Sequence, residues 1–299
     1  MNNPKSTVTC TLVLPADYRP EDILKFHRRD REAVAEQVTD SGLRKGLLWH
    51  GAPACLTVEF SGQRALGSLA LASEPGPDAQ AALRKMLTRM LGLDQSVARF
   101  EETYRAHPVL GRLIAARPGL RVPVAASPFE ALVWAIIGQQ ISVHAAISIR
   151  RRLILATGLQ GPAPLYCHPD ADRLATCSED TLRTAGLTAT KAASVRAISI
   201  AAAEGRLPLE AWTTHFDAEE IANALLAVRG IGPWTLNYLL LRGYGWLDGS
   251  LHGDVAVRRS LQRLLGEATP IDATRTAQWL AQFSPWRALV GAHLWAADG

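Results

Sequence analysis

Residues 217–259 read DAEEIANALLAVRGIGPWTLNYLLLRGYGWLDGSLHGDVAVRR, and this stretch decides how the rest of the chain is read. Asp217 and Glu220 have capping-box spacing and predict a helix start. Ile221, Leu225, Leu226 and Val228 give that helix an apolar face. Arg229-Gly230-Ile231-Gly232-Pro233 then breaks it and begins another at once. Gly230 and Gly232 permit positive φ and close backbone approach, while Pro233 suits the first position of a helix. Gly243 is the expected stop of the second helix. Asp254 heads a third helix-like run, DVAVRRSLQRLL.

Such a hairpin turns free backbone N–H groups outward at a helix N-terminus, where the partial positive charge favours a phosphate. An ordinary helix–helix turn, with glycines present only for packing, has the same local pattern. Asp254 taken alone reads as an N-cap. The residues by themselves leave both choices open.

The run LLAVRGIGPWTLNYLLLRGY followed by LHGD resembles the helix-hairpin-helix DNA glycosylases, with their Gly/Pro-rich loop and subsequent acid. Within that superfamily it is similar to the DNA-3-methyladenine glycosylase II type. The likeness is strongest over residues 127–295 and weak before Pro75. It implies an α+β chain: a small N-terminal α/β domain, resembling half of the TATA-binding fold, then a mainly α-helical glycosylase core. The expected division is 1–76 and 77–299, with the hairpin at about 219–243 and room for two helical subdomains.

Composition agrees with this without demanding it. The 299 residues are 48% hydrophobic and 20% charged, with a net charge of +4. That mild basic excess suits nucleic acid, but unrelated enzymes share it. No apolar run reaches the ~18 residues of a membrane span, and MNNPKSTVTC lacks the charged-then-apolar form of a signal peptide. A cytoplasmic protein with no membrane partner is expected. Cys10, Cys55, Cys167 and Cys177 are scattered, so reduced packing thiols are expected. No cysteine follows Cys177, which argues against the iron–sulfur cluster some relatives hold near the C-terminus. No zinc spacing is visible.

Outside the hairpin, residues 7–14 read as a strand and 23–38 as a mainly polar helix. Residues 54–60 and 65–71 read as strands joined across Ser61-Gly62-Gln63-Arg64. Glu74-Pro75-Gly76-Pro77-Asp78 is the clearest break. Helices are expected over 79–91, 96–106 and 108–116. Ser127-Pro128-Phe129-Glu130 is a strong helix start. Gly138-Gln139-Gln140-Ile141-Ser142 interrupts the pattern, and Ser142 caps a further helix to about Thr157 that carries Arg150, Arg151 and Arg152. That cluster is either a solvated face or a DNA contact. Residues 159–169 read as loop, then 178–185 and 188–204 as helices. A last helix follows Ser284-Pro285-Trp286.

The resemblance assigns roles to particular residues. Asp254 matches the catalytic carboxylate, which would stabilise an oxocarbenium-like transition state or orient the attacking water. His252-Gly253 stands before it where relatives often have Pro and a second acid. Asp248 reads as loop polarity. Trp234 occupies the position where glycosylase/lyases carry an amine nucleophile, so base removal without strand cleavage is expected. Lys191 reads as a surface or helix-cap lysine. Trp234, Tyr238 and Trp295, with Phe26 from the N-terminal domain, match aromatic pocket positions suited to a cationic methylated base; plain core aromatics are the bland alternative. Gln140 matches the wedge that fills the gap left by a flipped base, although Gln139 and Gln140 also fit a simple helix link. Gly230, Gly232 and Thr235 are the phosphate-binding candidates. The carbonyls of Leu226, Val228 and Ile231 match positions that bind a monovalent cation. No cofactor is required, and the expected partner is double-stranded DNA bearing alkylated bases, bound by a monomer. A non-catalytic helix-hairpin-helix DNA-binding protein and a glycosylase/lyase for oxidised bases are the alternatives. Among 3-methyladenine, 7-methylguanine, hypoxanthine and ethenoadenine the sequence does not choose.

Overall fold

The computed structural model describes residues 5–298. Strand β1 (Ser6–Val13) leads to helix α1 (Pro20–His27), then β2 (Glu36–Val38), β3 (Gly42–Trp49), β4 (Ala52–Ser61) and β5 (Arg64–Leu71). All neighbours pair antiparallel, in the order β1-β5-β4-β3-β2. The turn at Gly62-Gln63 joins β4 to β5 as expected, with Ser61 opposite Arg64.

The polar helix expected over 23–38 is much shorter. It ends at His27, and the chain re-enters the sheet as β2. Buried His27 and Glu36, 3.2 Å apart, hold the two pieces together. A second strand, β3, was not visible in the sequence. His50 (φ 48°) and Gly51 (φ 77°) make a two-residue turn with both φ values positive, the geometry that matches the twist of a hairpin.

Helices account for the rest: α2 (Ala79–Met90), α3 (Val97–Tyr104), α4 (Leu110–Ala116), α5 (Pro128–Gly138), α6 (Val143–Thr157), α7 (Ala171–Ala175), α8 (Glu179–Thr184) and α9 (Ala189–Ala203). After them come α10 (Ala218–Leu226), α11 (Pro233–Tyr244), α12 (Val255–Leu265), α13 (Ala273–Ala281) and α14 (Arg287–Asp298). The α+β class and the helical core are therefore as expected. Among the described residues, no helix is long and apolar enough to cross a membrane.

Three apolar cores organise these elements. The first combines the sheet with Leu83, Leu87 and Met90 of α2, so apolar packing continues across the Pro/Gly break at 74–78. The second gathers Phe129, Leu132 and Ile136 of α5 with α6, α9 and α10, and with Leu236, Leu239 and Leu240 of α11. The third gathers α3, α4, α12, α13 and α14 around Phe283, and takes Leu241 of α11. Burying these four leucines contributes roughly 6–12 kcal/mol before chain entropy. Helix α11 is thereby fixed between the two helical cores.

Gly243 is not the helix stop. It lies inside α11, and an added Cβ would stand 3.3 Å from Cα of Pro128 and 3.5 Å from Cβ of Ala131. Its role is close packing of α11 on α5; the stop is Gly245, at φ 75°. The apolar face of α10 is also narrower than expected, because Leu226 is 45% exposed while Ile221 and Leu225 are buried.

Candidate active site and nucleic-acid interface

The α10–α11 turn forms as the sequence predicts. Asp217 Oδ1 accepts from the N–H groups of Glu219 and Glu220. The reciprocal half of the capping box does not form, since Glu220 accepts the indole N–H of Trp212 instead. Gly230 has φ 91°, and a Cβ there would meet Oγ of Ser194 at 2.1 Å. Gly232 differs: its φ is −111° and nothing lies within 4 Å of an added Cβ. Nothing inside the fold requires glycine at 232, and the open space faces outward beside the first N–H groups of α11. Those N–H groups have no helical acceptor.

Thr235 sits in the first turn of α11 but is 2% exposed, and its hydroxyl accepts from Nε2 of Gln139 at 2.8 Å. Burial keeps that hydroxyl from a phosphate outside, so the contribution open to Thr235 is its backbone N–H in the first turn. Gln139 Nε2 also donates to the Gly230 carbonyl at 3.0 Å, tying the α5–α6 turn to the hairpin. The next residue, Gln140, is exposed at φ 55° and stands apart from that link. Beside it Ile141 and Val143 are 38% and 61% exposed. The turn thus presents one amide and two apolar side chains on the side of the hairpin.

Lys191 caps the end of α5. Its Nζ donates to the carbonyls of Ile137 and Gln139 at 2.8 and 2.7 Å, which matches the helix-cap reading. Burial lowers its pKa, but both carbonyls engage the ammonium.

Asp254 caps α12, and its carboxylate does more than cap. Oδ1 accepts from the N–H groups of Ala256 and Val257 at 2.9 and 3.1 Å, and from the Trp295 indole at 3.1 Å. Oδ2 accepts from the Trp234 indole at 3.1 Å. Three helices therefore converge on one half-buried carboxylate: α12 through its cap, α11 through Trp234, and α14 through Trp295. Tyr238 packs between the indoles, its ring 5.4 Å from that of Trp234 and 6.4 Å from that of Trp295. Asp254, Trp234, Tyr238 and Trp295 are thus brought together. With three donors on Oδ1 and one on Oδ2, it is Oδ2 that retains capacity for a reacting centre. Asp248 is a structural residue, paired with Arg287 at 2.8 Å and with the Ser284 hydroxyl. His252 hydrogen-bonds the Ser250 hydroxyl at 2.9 Å, which shapes the loop before Asp254.

Phe26 lies at the mouth of an adjoining cavity with Trp134, Tyr238 and Arg242. That cavity encloses about 50 Å³, space for a water rather than a purine. A base entering it must displace side chains.

The arginine cluster of α6 divides, with Arg151 half-buried and Arg152 exposed. Arg150 is buried and bridges Glu130 at 2.8 Å and Glu36 at 3.3 Å. Lys45, 1% exposed, bonds the same two carboxylates at 2.7 and 2.6 Å. Arg151 pairs with Glu32 and lies 3.8 Å from Asp30, and Arg152 donates to the Ala185 carbonyl. Arg150 is thus an internal link between the sheet and the helices rather than a DNA contact, while Arg152 stays exposed. Burial pushes the Glu130 carboxyl up, but Lys45 and Arg150 outweigh it and hold its pKa at about 2. Burial raises Glu36 likewise, and Arg150 and Lys45 bring it well below the ordinary carboxylate value. Burial without an adequate counter-charge lowers His168 to about 4. No sequence signal marked this network: Glu130 reads as a capping residue and Lys45 as one polar residue in an unrecognised strand.

Leu226 ends α10, where the last carbonyls have no helical partner, and the Val228 carbonyl accepts the Ile231 N–H at 3.1 Å. Among the described residues no group of three or more His, Cys, Asp or Glu side chains is placed to hold a metal ion.

Residues 133–284 match the family described as HhH-GPD superfamily base excision DNA repair protein, and residues 9–127 match the AlkA N-terminal domain. The chain is 36% identical over 192 residues to DNA-3-methyladenine glycosylase 2 of Escherichia coli, a segment spanning 64% of either protein. The fold of 3-methyladenine DNA-glycosylase from Archaeoglobus fulgidus superposes with a TM-score of 0.82 at 21% identity, covering 97% of this chain and 98% of that one. An 8-oxoguanine glycosylase/lyase from Clostridium acetobutylicum, bound to double-stranded DNA, superposes at 0.71 with 14% identity, covering 99% and 97%. The fold alone therefore does not choose between the two chemistries.

Proposed function

Because the chain belongs to the HhH-GPD superfamily of base excision DNA repair proteins, we propose that it is a monofunctional DNA glycosylase that excises alkylated bases. It would act on double-stranded DNA as a monomer. The observation that carries this reading is the Asp254 carboxylate, held by two indole N–H groups and a helix N-terminus at the exit of the hairpin. A purely DNA-binding hairpin needs no such carboxylate.

The hairpin N–H groups at Gly232 and beyond would hold the phosphates flanking the lesion, and Gln140 would occupy the space vacated by the flipped base. With the nucleotide rotated toward Trp234, Tyr238 and Trp295, the C1′–N bond breaks and its electron pair leaves with the base. A purine alkylated at N3 or N7 departs neutral, which is why its aromatic surroundings need supply few directional hydrogen bonds. The positive charge left on the sugar is stabilised by Asp254 Oδ2. Water then forms the C1′–O bond and loses a proton, leaving an abasic site. Trp234 offers no amine to attack C1′, so no Schiff base follows.

The carbonyls of Leu226, Val228 and Ile231 are a chemically suitable oxygen donor set for a monovalent cation, which would add positive charge near a bound phosphate. No step above depends on it.

The test is base release from methylated duplex DNA by the wild type and by Asp254→Asn. The variant should lose ~10²-fold or more in single-turnover rate while still binding an abasic-analogue duplex. Near-wild-type release by Asp254→Asn would refute the reading.

A further inference from the structure

Arg121 is 8% exposed, yet its Nε and Nη1 meet no acceptor among the described residues. Its Nη2 lies 3.8 Å from Asp17 Oδ1, beyond hydrogen-bond distance. The Nε–H and both Nη1–H bonds of this guanidinium are thus unengaged, and buried donors left without an acceptor are costly. Arg121 lines a cavity of about 240 Å³ between α1, the 117–123 loop and α14. Buried Arg242 lines it too, and its Nε also meets no acceptor. Arg242 in addition borders the smaller cavity where Asp30 Oδ2 has no partner; Arg121 does not.

Charge in the larger cavity is one-sided. Lys25, Arg29 and Arg117 join the two buried arginines on its walls, and among the described residues lining it Asp22 is the one carboxylate. Asp22 is already shared by Arg19 at 2.9 Å and Arg117 at 3.3 Å. Glu101, the other acid near Arg121, accepts the Gly119 N–H at 2.6 Å.

An oxyanion answers both observations, because its oxygens accept from the idle N–H groups and its charge offsets the surplus. A water takes about 30 Å³, so the cavity has room for a phosphate with water beside it. Trp295, whose indole bonds Asp254 Oδ1, is one of its walls, which puts the cavity one side chain away from that carboxylate. We propose that Arg121 and Arg242, with Arg29 and Arg117 beside them, form a phosphate-binding site separate from the hairpin. It takes either a backbone phosphate of DNA or a free phosphate ion, and it does not rest on the glycosylase reading.

The experiment follows thermal unfolding in sodium phosphate and in sodium chloride at matched ionic strength, for the wild type, Arg121→Gln and Asp17→Asn. Phosphate at ten times its half-saturating concentration should raise the wild-type Tm by roughly 2–4 °C beyond chloride. Arg121→Gln should lose most of that rise. Asp17 is exposed, so Asp17→Asn gives an answer even if the buried position does not tolerate change. It should lower the half-saturating phosphate concentration roughly twofold to fivefold, the worth of one partly exposed charge pair. A second arm measures affinity for undamaged duplex against salt. With a backbone phosphate in the site, the slope of log affinity on log salt should be shallower by about 1 in Arg121→Gln. An unchanged slope, with the phosphate-specific rise in Tm present, assigns the site to free phosphate. Without a phosphate-specific rise the inference is overturned whatever the slope. A rise that both variants leave unchanged also overturns it, because the anion then sits elsewhere.

Discussion

Gly230 and Gly232 are two residues apart in one turn, and their surroundings predict opposite consequences for the same substitution. At Gly230, alanine must adopt φ near 91° and place its Cβ 2.1 Å from the Ser194 hydroxyl. The left-handed backbone costs roughly 1–2 kcal/mol. Moving Ser194 also breaks its bond to the Arg229 carbonyl at 3.0 Å, worth about 1 kcal/mol. The sum, roughly 2–3 kcal/mol, corresponds to a fall in Tm of about 4–12 °C for a chain of this size. At Gly232 the φ is ordinary and the space is open, so alanine should leave Tm within about 1–2 °C, the usual range for an unconstrained surface position. Its methyl group would instead keep a phosphate from the N–H groups of α11. Losing one charge-assisted contact should weaken binding to undamaged duplex about tenfold. Thermal unfolding and fluorescence-anisotropy titration at one fixed salt concentration measure both quantities. If Gly232→Ala binds like the wild type, the phosphate does not approach there. If it unfolds as early as Gly230→Ala, position 232 is packed rather than open.

Three further outcomes are expected. Borohydride should trap no covalent adduct with lesion-bearing DNA, and strand breaks should follow only alkali; an adduct abolished by Lys191→Ala would place the amine chemistry at α9 instead. Gln140→Ala should spare affinity for undamaged duplex yet reduce binding to an abasic-analogue duplex. Equal weakening of both would make Gln140 a backbone contact, and no change at all would move the wedge to Ile141. Acid should unfold the protein in two stages, followed by circular dichroism. His168 and His293, whose pKa values burial lowers from 6.5 to about 4, are neutral in the fold and charge in the unfolded chain, so stability falls as pH drops from about 6.5 to 4. Glu130, held at about 2 against an ordinary 4.5, then loses its contribution between about pH 4.5 and 2. Stability unchanged between pH 7 and 4.5 would contradict the buried neutral histidines.

Much of the site was legible because its signals are local. Caps, a Pro at the first helical position and paired glycines are written in consecutive residues, and Ser127, Ser142 and Asp217 all cap as read. What failed depended on partners far away in the chain. The arginines of α6 look like a solvated or DNA-facing run until Glu36 and Glu130, 114 and 20 residues from Arg150, are seen to face it. Strand β3 carries Lys45 on its buried side, which breaks the apolar alternation that reveals a strand. Gly243 was misread for a related reason. A glycine inside a helix and one that ends it look alike unless the neighbouring helix is known, and here α5 fills the space.

The same distinction clarifies how Asp254 holds two roles. As an N-cap it would need only one oxygen, and the two backbone N–H bonds do fall on Oδ1. Trp234 and Trp295 then fix the plane of the carboxylate from α11 and α14, one indole on each oxygen. The aromatic residues are therefore more than pocket walls, because their N–H groups set where Oδ2 points. An indole that moved to admit a base would release the carboxylate at the moment it is needed, so both must stay in place while other side chains yield. Phe26 and Arg29 line the small cavity on the other side of Tyr238 and belong to α1 and the turn after it. The N-terminal domain thus supplies one wall of that cavity, while α11, α12 and α14 hold the carboxylate.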